Sequence, residues 1–346
     1  MIRGVLSIKC PRCASLVMLE SLACAACATP LAFHDETQAF VDVSGGAVLV
    51  DGRLWRSCGN RDWKCNWLVE DGIATSSCLS CRLVRKRPAF DDTLALEKLA
   101  EADADRRRLL AQCLHLRLPI ESYADHDGGL GFDLLSSRSS GQRVTIGHAN
   151  GIITIDLAET LDAHREALRV RLGEPYRTLL GHFRHEIGHY YQSILLDDDE
   201  VLLSECRELF GDERASYREA LDRHYRLGAP EGWSASYISE YATMHPWEDF
   251  AETFAHYLHI LGSLWTAAAS NVHLQPSTTP LIDYTEEPIE RVLADWHEVS
   301  LLLNRSSRAM GQNDLYPFVL NAPTEVKLGF MHRIVTRITR RASTTR

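Results

Sequence analysis

The spacing of apolar residues changes character three times along the chain. Up to about residue 87 the apolar runs are short and interrupted by turns, with Gly45-Gly46 and Asp51-Gly52 among them. Such a stretch holds too little apolar material for a core of its own. Between 90 and 118, Leu94, Leu96, Leu99, Leu109, Leu110 and Leu114 recur near helical spacing, which predicts a long helix. Residues 143–148 alternate, and 152–157 follow Asn150-Gly151, a dipeptide that favours a two-residue hairpin turn. Beyond Glu159 the period is helical, over 160–172, 175–195, 201–226, 247–269 and 286–304. Loops are expected at 228–230 and 275–280, and the basic tail 327–346 reads as a frayed terminus. The pattern predicts an α+β protein with a small sheet and a mostly helical second part.

Composition adds a boundary. The chain has 10 cysteines, and those at 10, 13, 24, 27, 58, 65, 78 and 81 all precede the long helix. This predicts a cysteine-rich domain at 1–88 and a second domain at 89–346. Clustered cysteines without an export signal read as metal ligands rather than disulfides, and the expected location is the cytoplasm. Cys10, Cys13, Cys24 and Cys27 form two C-x2-C pairs, the spacing of a zinc ribbon, in which two knuckles close a tetrahedral thiolate site. Cys58, Cys65, Cys78 and Cys81 give a second set with a less regular first pair. Both would be structural, with iron as the competing metal. Cys113 and Cys206, at helical spacing among apolar neighbours, read as core residues.

Charge excludes some partners. The formal net charge of −10 argues against nucleic acid and anionic membranes. No apolar run is long enough to span a bilayer. Arg82, Arg85, Lys86 and Arg87, with Trp55, Trp63 and Trp67 upstream, could touch nucleic acid, but such residues more often pack a small domain and mark a linker.

The candidate chemistry lies in His185-Glu186-Ile187-Gly188-His189. Positions i and i+4 share one helix face, so both imidazoles reach one zinc ion. Glu186 is then the candidate general base on an attacking water. A bare match of this kind also arises by chance, so the reading needs a third ligand. Pro246 suits a helix start, and Glu248 and Glu252 then share one face. One would bind metal and the other would accept from a ligand histidine, in either order. Asp249 points elsewhere and reads as a first-turn carboxylate. His182 and His256 lie one turn from the site residues and read as packed histidines. Tyr241 could donate to an oxyanion or could simply pack, with Tyr237 as its substitute.

HEIGH together with EDFAE resembles the gluzincin class of metallopeptidases. That resemblance implies a zincin-like second domain, Glu248 as third zinc ligand and Glu252 as its supporting carboxylate. The Tyr241 spacing is similar to that of the lethal-factor branch of the class. Over nearly the whole chain, CNWLV, CLSCR, HFRHEIGHYY, RELFGDERASY, HPWEDFAETFAHYLHI and DLYPFVL resemble a bacterial family of zinc-binding metallopeptidases with an N-terminal zinc ribbon. Within RELFGDERASY, Glu208, Asp212 and Glu213 are candidates for substrate contacts or for a salt-bridged helix surface. The expected function is hydrolysis of peptide or protein substrates, with one catalytic and two structural Zn2+ ions. The competing readings are a zinc-stabilised adaptor with a non-catalytic HExxH site, and a hydrolase of a non-peptide amide. Oligomeric state is not legible.

Overall fold

The computed structural model describes residues 8–140, 144–157, 178–196, 199–273, 280–281 and 283–344. The chain divides into two compact units, 1–160 and 161–346.

The first unit carries every strand among the described residues. β1 (Leu31–His34) and β2 (Ala39–Asp42) form an antiparallel pair, and β3 (Val48–Val50), β4 (Arg53–Ser57) and β5 (Leu68–Glu70) form a three-stranded antiparallel sheet. A small core of Ala32, Val43, Trp55 and Leu68 joins them. Trp55 and Trp67 are buried, so two of the three tryptophans singled out in the sequence serve packing, while Trp63 stays exposed.

The third sheet orders β6 (Val84–Lys86), β7 (Gly131–Leu135), β9 (Ile152–Asp156) and β8 (Gly147–Ala149). Its first three strands are parallel and β8 is antiparallel to β9. The hairpin expected around Asn150-Gly151 is β8–β9, and both turn residues take positive φ, 45° and 79°, which the tight turn requires. Arg85 leaves the basic run to chelate Asp133 on β7 at 2.8 and 2.6 Å. The long helix forms at Thr93–His115, capped by the Asp92 carboxylate accepting from Ala95 N–H. Compactness therefore groups this helix and the third sheet with the cysteine-rich segment.

The second unit is helical. The motif helix, Leu179–Leu196, packs most closely on the acidic helix, Pro246–Ala269. Gly188 is why they approach: a Cβ there would lie 2.9 Å from the Ala251 Cα. The crossing point sits between Glu248 and Glu252, so both carboxylates face the motif histidines. Pro246 occupies the first turn, and His245 caps the helix by accepting from Trp247 N–H at 3.1 Å.

Two expectations change. The helix expected over 201–226 is two helices, Glu200–Phe210 and Tyr217–Leu227. Gly211 takes φ +100° and ends the first, and Ser216 caps the second. The tail is not frayed. Ala322–Thr344 is a helix whose Leu328, Phe330, Met331, Ile334 and Val335 are buried. Its arginines pair within the chain: Arg333 with Glu205, Arg337 with Asp199 and Arg340 with Glu286. The basic residues hid an apolar face at helical spacing. A further helix spans Ile289–Ala309, and the one expected over 160–172 lies outside the described residues. No helix among the described residues is long and apolar enough to cross a membrane.

Candidate metal centres

Both cysteine sets converge. In the first, two equivalent knuckles form. Ala14 N–H donates to Cys10 O and Ala28 N–H to Cys24 O, with Ala14 and Ala28 at φ 59° and 58°. Across the pair of knuckles, Cys10 and Cys27 Sγ lie 3.7 Å apart and Cys13 and Cys24 Sγ 3.6 Å apart. In the second set the Sγ separations are 3.8 Å for Cys58–Cys81, 3.6 Å for Cys65–Cys78 and 3.7 Å for Cys65–Cys81. A tetrahedron with Zn–S bonds of about 2.3 Å has edges of about 3.8 Å, so both sets fit a closed thiolate site. The second set is fully buried and bound to the long helix. Arg106, itself buried, donates to Ser80 O, and Arg107 donates to Lys64 O at 3.1 Å. The Arg106 charge acts on Cys81 and Cys78, where four thiolates on a divalent ion would leave net negative charge.

The third centre is different in kind. His185 Nε2, His189 Nε2 and Glu248 Oε2 meet from two helices: 3.2 Å between the imidazoles, 2.9 Å from His185 to Glu248 and 3.4 Å from His189 to Glu248. Bonds of about 2.0–2.1 Å in tetrahedral zinc give edges of about 3.3 Å, so these donors fit the ion. Glu248 Oε2 is buried and faces the two imidazole Nε2 atoms, a setting in which a cation between the three would take up its charge. Among the described residues these three offer donor atoms to the centre. Tetrahedral zinc would take its remaining ligand from water or substrate.

The supporting shell is specific. Glu252 Oε1 accepts from His185 Nδ1 at 2.7 Å, and its other oxygen accepts from Ser239 Oγ at 2.6 Å. Burial works against the Glu252 charge, but the His185 contact outweighs it and holds the carboxyl at about 2. It remains an acceptor, which places the imidazole proton on Nδ1 and leaves Nε2 for metal. Tyr217 OH donates to Glu248 Oε1 at 2.8 Å. The sequence reading passed over Tyr217 and Ser239, because neither carries a motif and each is placed by tertiary packing. Tyr217 does close the RELFGDERASY string. Of the acids weighed in that string, Glu213 accepts from Arg207 at 3.0 Å, Asp212 accepts from Arg214 at 2.7 Å, and Glu208 is exposed.

The chain matches, over residues 95–334, a family described as "Putative zinc-binding metallo-peptidase". The chain belongs to this family. Residues 7–92 of this family member match a zinc-ribbon domain. An uncharacterized protein of Mycobacterium tuberculosis (strain ATCC 25618 / H37Rv) is 45% identical over 331 residues, 95% of each chain. An uncharacterized protein of Mycobacterium bovis is equally similar. No solved structure matches. Family and donor sets together support zinc as the ion of this metallopeptidase relative.

Around the centre, a cleft is lined by Glu186, His185, Tyr241, Glu252 and Ser239, with His182 and His256 further along. His182 Nε2 lies 3.5 Å from Glu186 Oε1. The Tyr241 ring lies tilted beside the His185 ring, 5.8 Å between centroids. Burial, then the Glu248 charge, raises both the Tyr241 and Tyr217 phenols, so both stay protonated donors. His256 bonds Tyr316 OH through Nδ1 at 2.7 Å, and burial lowers it to about 4, so it is a packed neutral imidazole. Tyr237 is placed elsewhere, under the Lys327 ammonium at 4.5 Å. Asp249 lies in the first turn of the acidic helix, as expected. It is also buried and accepts from Lys327 Nζ at 2.6 Å, because the helix Ala322–Thr344 covers that face.

Proposed function

We propose that the protein is a zinc-dependent peptidase acting on peptide or protein substrates, with Glu186 handling the proton of the attacking water. The observation that carries this reading is the convergence of His185, His189 and Glu248 donors beside a cleft that Glu186 also lines. Zinc held there supplies Lewis-acid polarisation of the water and of the substrate carbonyl. The rest falls to the chain. Glu186 accepts a proton from the water and delivers it to the leaving nitrogen. Tyr241, kept protonated, donates to the oxyanion that develops on the carbonyl. Glu252 with Ser239 fixes the His185 ring, and Tyr217 fixes Glu248.

We infer three zinc ions per chain, two of them structural. We also infer a cytoplasmic location, since clustered thiolates persist where thiols stay reduced. The test uses Glu186→Gln. Elemental analysis should give the same zinc content as the parent, and turnover of a mixed peptide panel should fall at least about 100-fold. Equal turnover in the two proteins would sink the assignment. A parent that cleaves no peptide would favour the adaptor or the non-peptide amide reading.

A further inference from the structure

Two phenols stand at the histidine centre, and they reach it from different segments. Tyr217 opens the helix Tyr217–Leu227, which Ser216 caps by accepting from Glu219 N–H at 3.3 Å. Its hydroxyl donates to Glu248 Oε1 at 2.8 Å, and its ring lies 5.3 Å from the His245 ring. His245 accepts from Trp247 N–H through Nδ1, so its proton is on Nε2, which donates to Ala215 O at 3.0 Å. One buried histidine thus ties the Tyr217 segment to the start of the helix that carries Glu248. Tyr241 opens the short turn Tyr241–Thr243, in which Ala242 N–H donates to Ser239 Oγ at 3.1 Å. Ser239 in turn donates to Glu252, the carboxylate that orients His185. Each phenol therefore hangs from a support that also holds a metal donor.

The two hydroxyls also bond each other. Tyr217 has one hydroxyl proton and gives it to Glu248, so in the second bond Tyr241 donates and Tyr217 accepts. Tyr241 lines the cleft, so the bonds run from the cleft wall through Tyr217 to a metal ligand. The Glu186 charge reaches both phenols, which puts this chain of bonds near the base that handles the water proton.

We propose that Tyr217 is a positioning residue for the oxyanion step, holding the Tyr241 hydroxyl ready until charge develops on the substrate carbonyl. The proposal deepens the peptidase reading and rests on it. At rest the Tyr241 proton lies in a bond between two neutral phenols. An oxyanion is a charged acceptor, and a bond to a charged acceptor is roughly twice as strong. The Tyr241 hydroxyl therefore turns from Tyr217 to the oxyanion as the carbonyl becomes tetrahedral, and turns back when product leaves. Tyr241 keeps its proton throughout and only its acceptor changes. Tyr217 remains the donor to Glu248 in both states, so the ligand stays fixed while the oxyanion donor moves. This exchange favours the transition state over the bound substrate, which raises kcat rather than tightening binding.

The test compares the zinc-loaded full chain with Tyr217→Phe, Tyr241→Phe and the double variant. Zinc is kept in excess, so that a loosened Glu248 does not empty the centre. Tyr217→Phe keeps the ring and removes only the hydroxyl. On a peptide panel its kcat should fall about tenfold with KM within about twofold of the parent. Adding it to Tyr241→Phe should cost less than about twofold more, because Tyr217 acts through Tyr241. A phosphinic peptide, whose charged tetrahedral group mimics the oxyanion, gives the same cycle by calorimetry without turnover. Its affinity should fall about tenfold in Tyr217→Phe, and the double variant should bind it as Tyr241→Phe does. An equal loss in both backgrounds would mean that Tyr217 works on Glu248 alone, and would overturn the proposal. So would a loss confined to KM, phosphinic affinity unmoved by Tyr217→Phe, or no phosphinic binding to the parent at millimolar concentration. If the parent cleaves no peptide while the binding cycle is non-additive, the positioning role stands and the peptidase reading falls. Turnover with an additive cycle gives the reverse.

Discussion

The thiolate centres and the histidine centre would put one kind of ion to opposite ends. Each thiolate centre brings together four sulfurs from one short stretch of chain, in the segment whose strands share the small core of Ala32, Val43, Trp55 and Leu68. The histidine centre takes three donors from two long helices that pack closely on each other, Gly188 against Ala251. In the first case metal substitutes for a core; in the second a core holds the donors ready for metal. Closure around sulfur leaves no place for a reacting molecule, whereas two imidazoles and one carboxylate leave zinc a ligand to exchange.

The largest expected effect is on the closed side. Cys65→Ser should cost the first unit much of the roughly 10–16 kcal/mol that structural zinc contributes to small domains. Amide exchange should then lose protection over 31–86, with one zinc fewer per chain. Unchanged protection would mean that this segment folds without its thiolate metal. On the other side, Glu186→Gln should lower kcat by about 100- to 10,000-fold and leave the zinc count and melting temperature near those of the parent.

Lys327→Met tests whether the histidine centre truly stands on protein packing. It strands Asp249 as a buried carboxylate, so unfolding free energy should drop by roughly 3–5 kcal/mol. Asp249→Asn in the same chain should recover part of that loss; a denaturation midpoint unmoved by Lys327→Met would remove the ion pair from the argument. The mildest change is Glu252→Gln, which should weaken zinc at the histidine centre by about 10- to 100-fold. Competition with a chelator would read this, and the thiolate zincs should hold as in the parent.

What could be read from sequence follows the same divide. C-x2-C pairs and HEIGH are legible because each places its donors through local geometry, a knuckle or one helical turn. The hairpin at Asn150-Gly151 is legible for the same reason. Glu248 needed more, since its partners lie some sixty residues away and only the resemblance separated it from Glu252. Tyr217, Ser239 and Lys327 were invisible because nothing in their neighbourhoods announces a partner on another helix. The tail misled because its arginines dominate the composition, while Leu328, Met331, Ile334 and Val335 carry the packing face.

That last helix has a bearing on how the molecule is made. Every donor of the histidine centre is synthesised by residue 248, yet the ammonium that neutralises Asp249, the very next residue, arrives 78 positions later. A nascent chain halted before Ala322 would carry the complete ligand set with Asp249 still uncovered. The helix whose Lys327 answers Asp249 is thus made after every donor of the histidine centre.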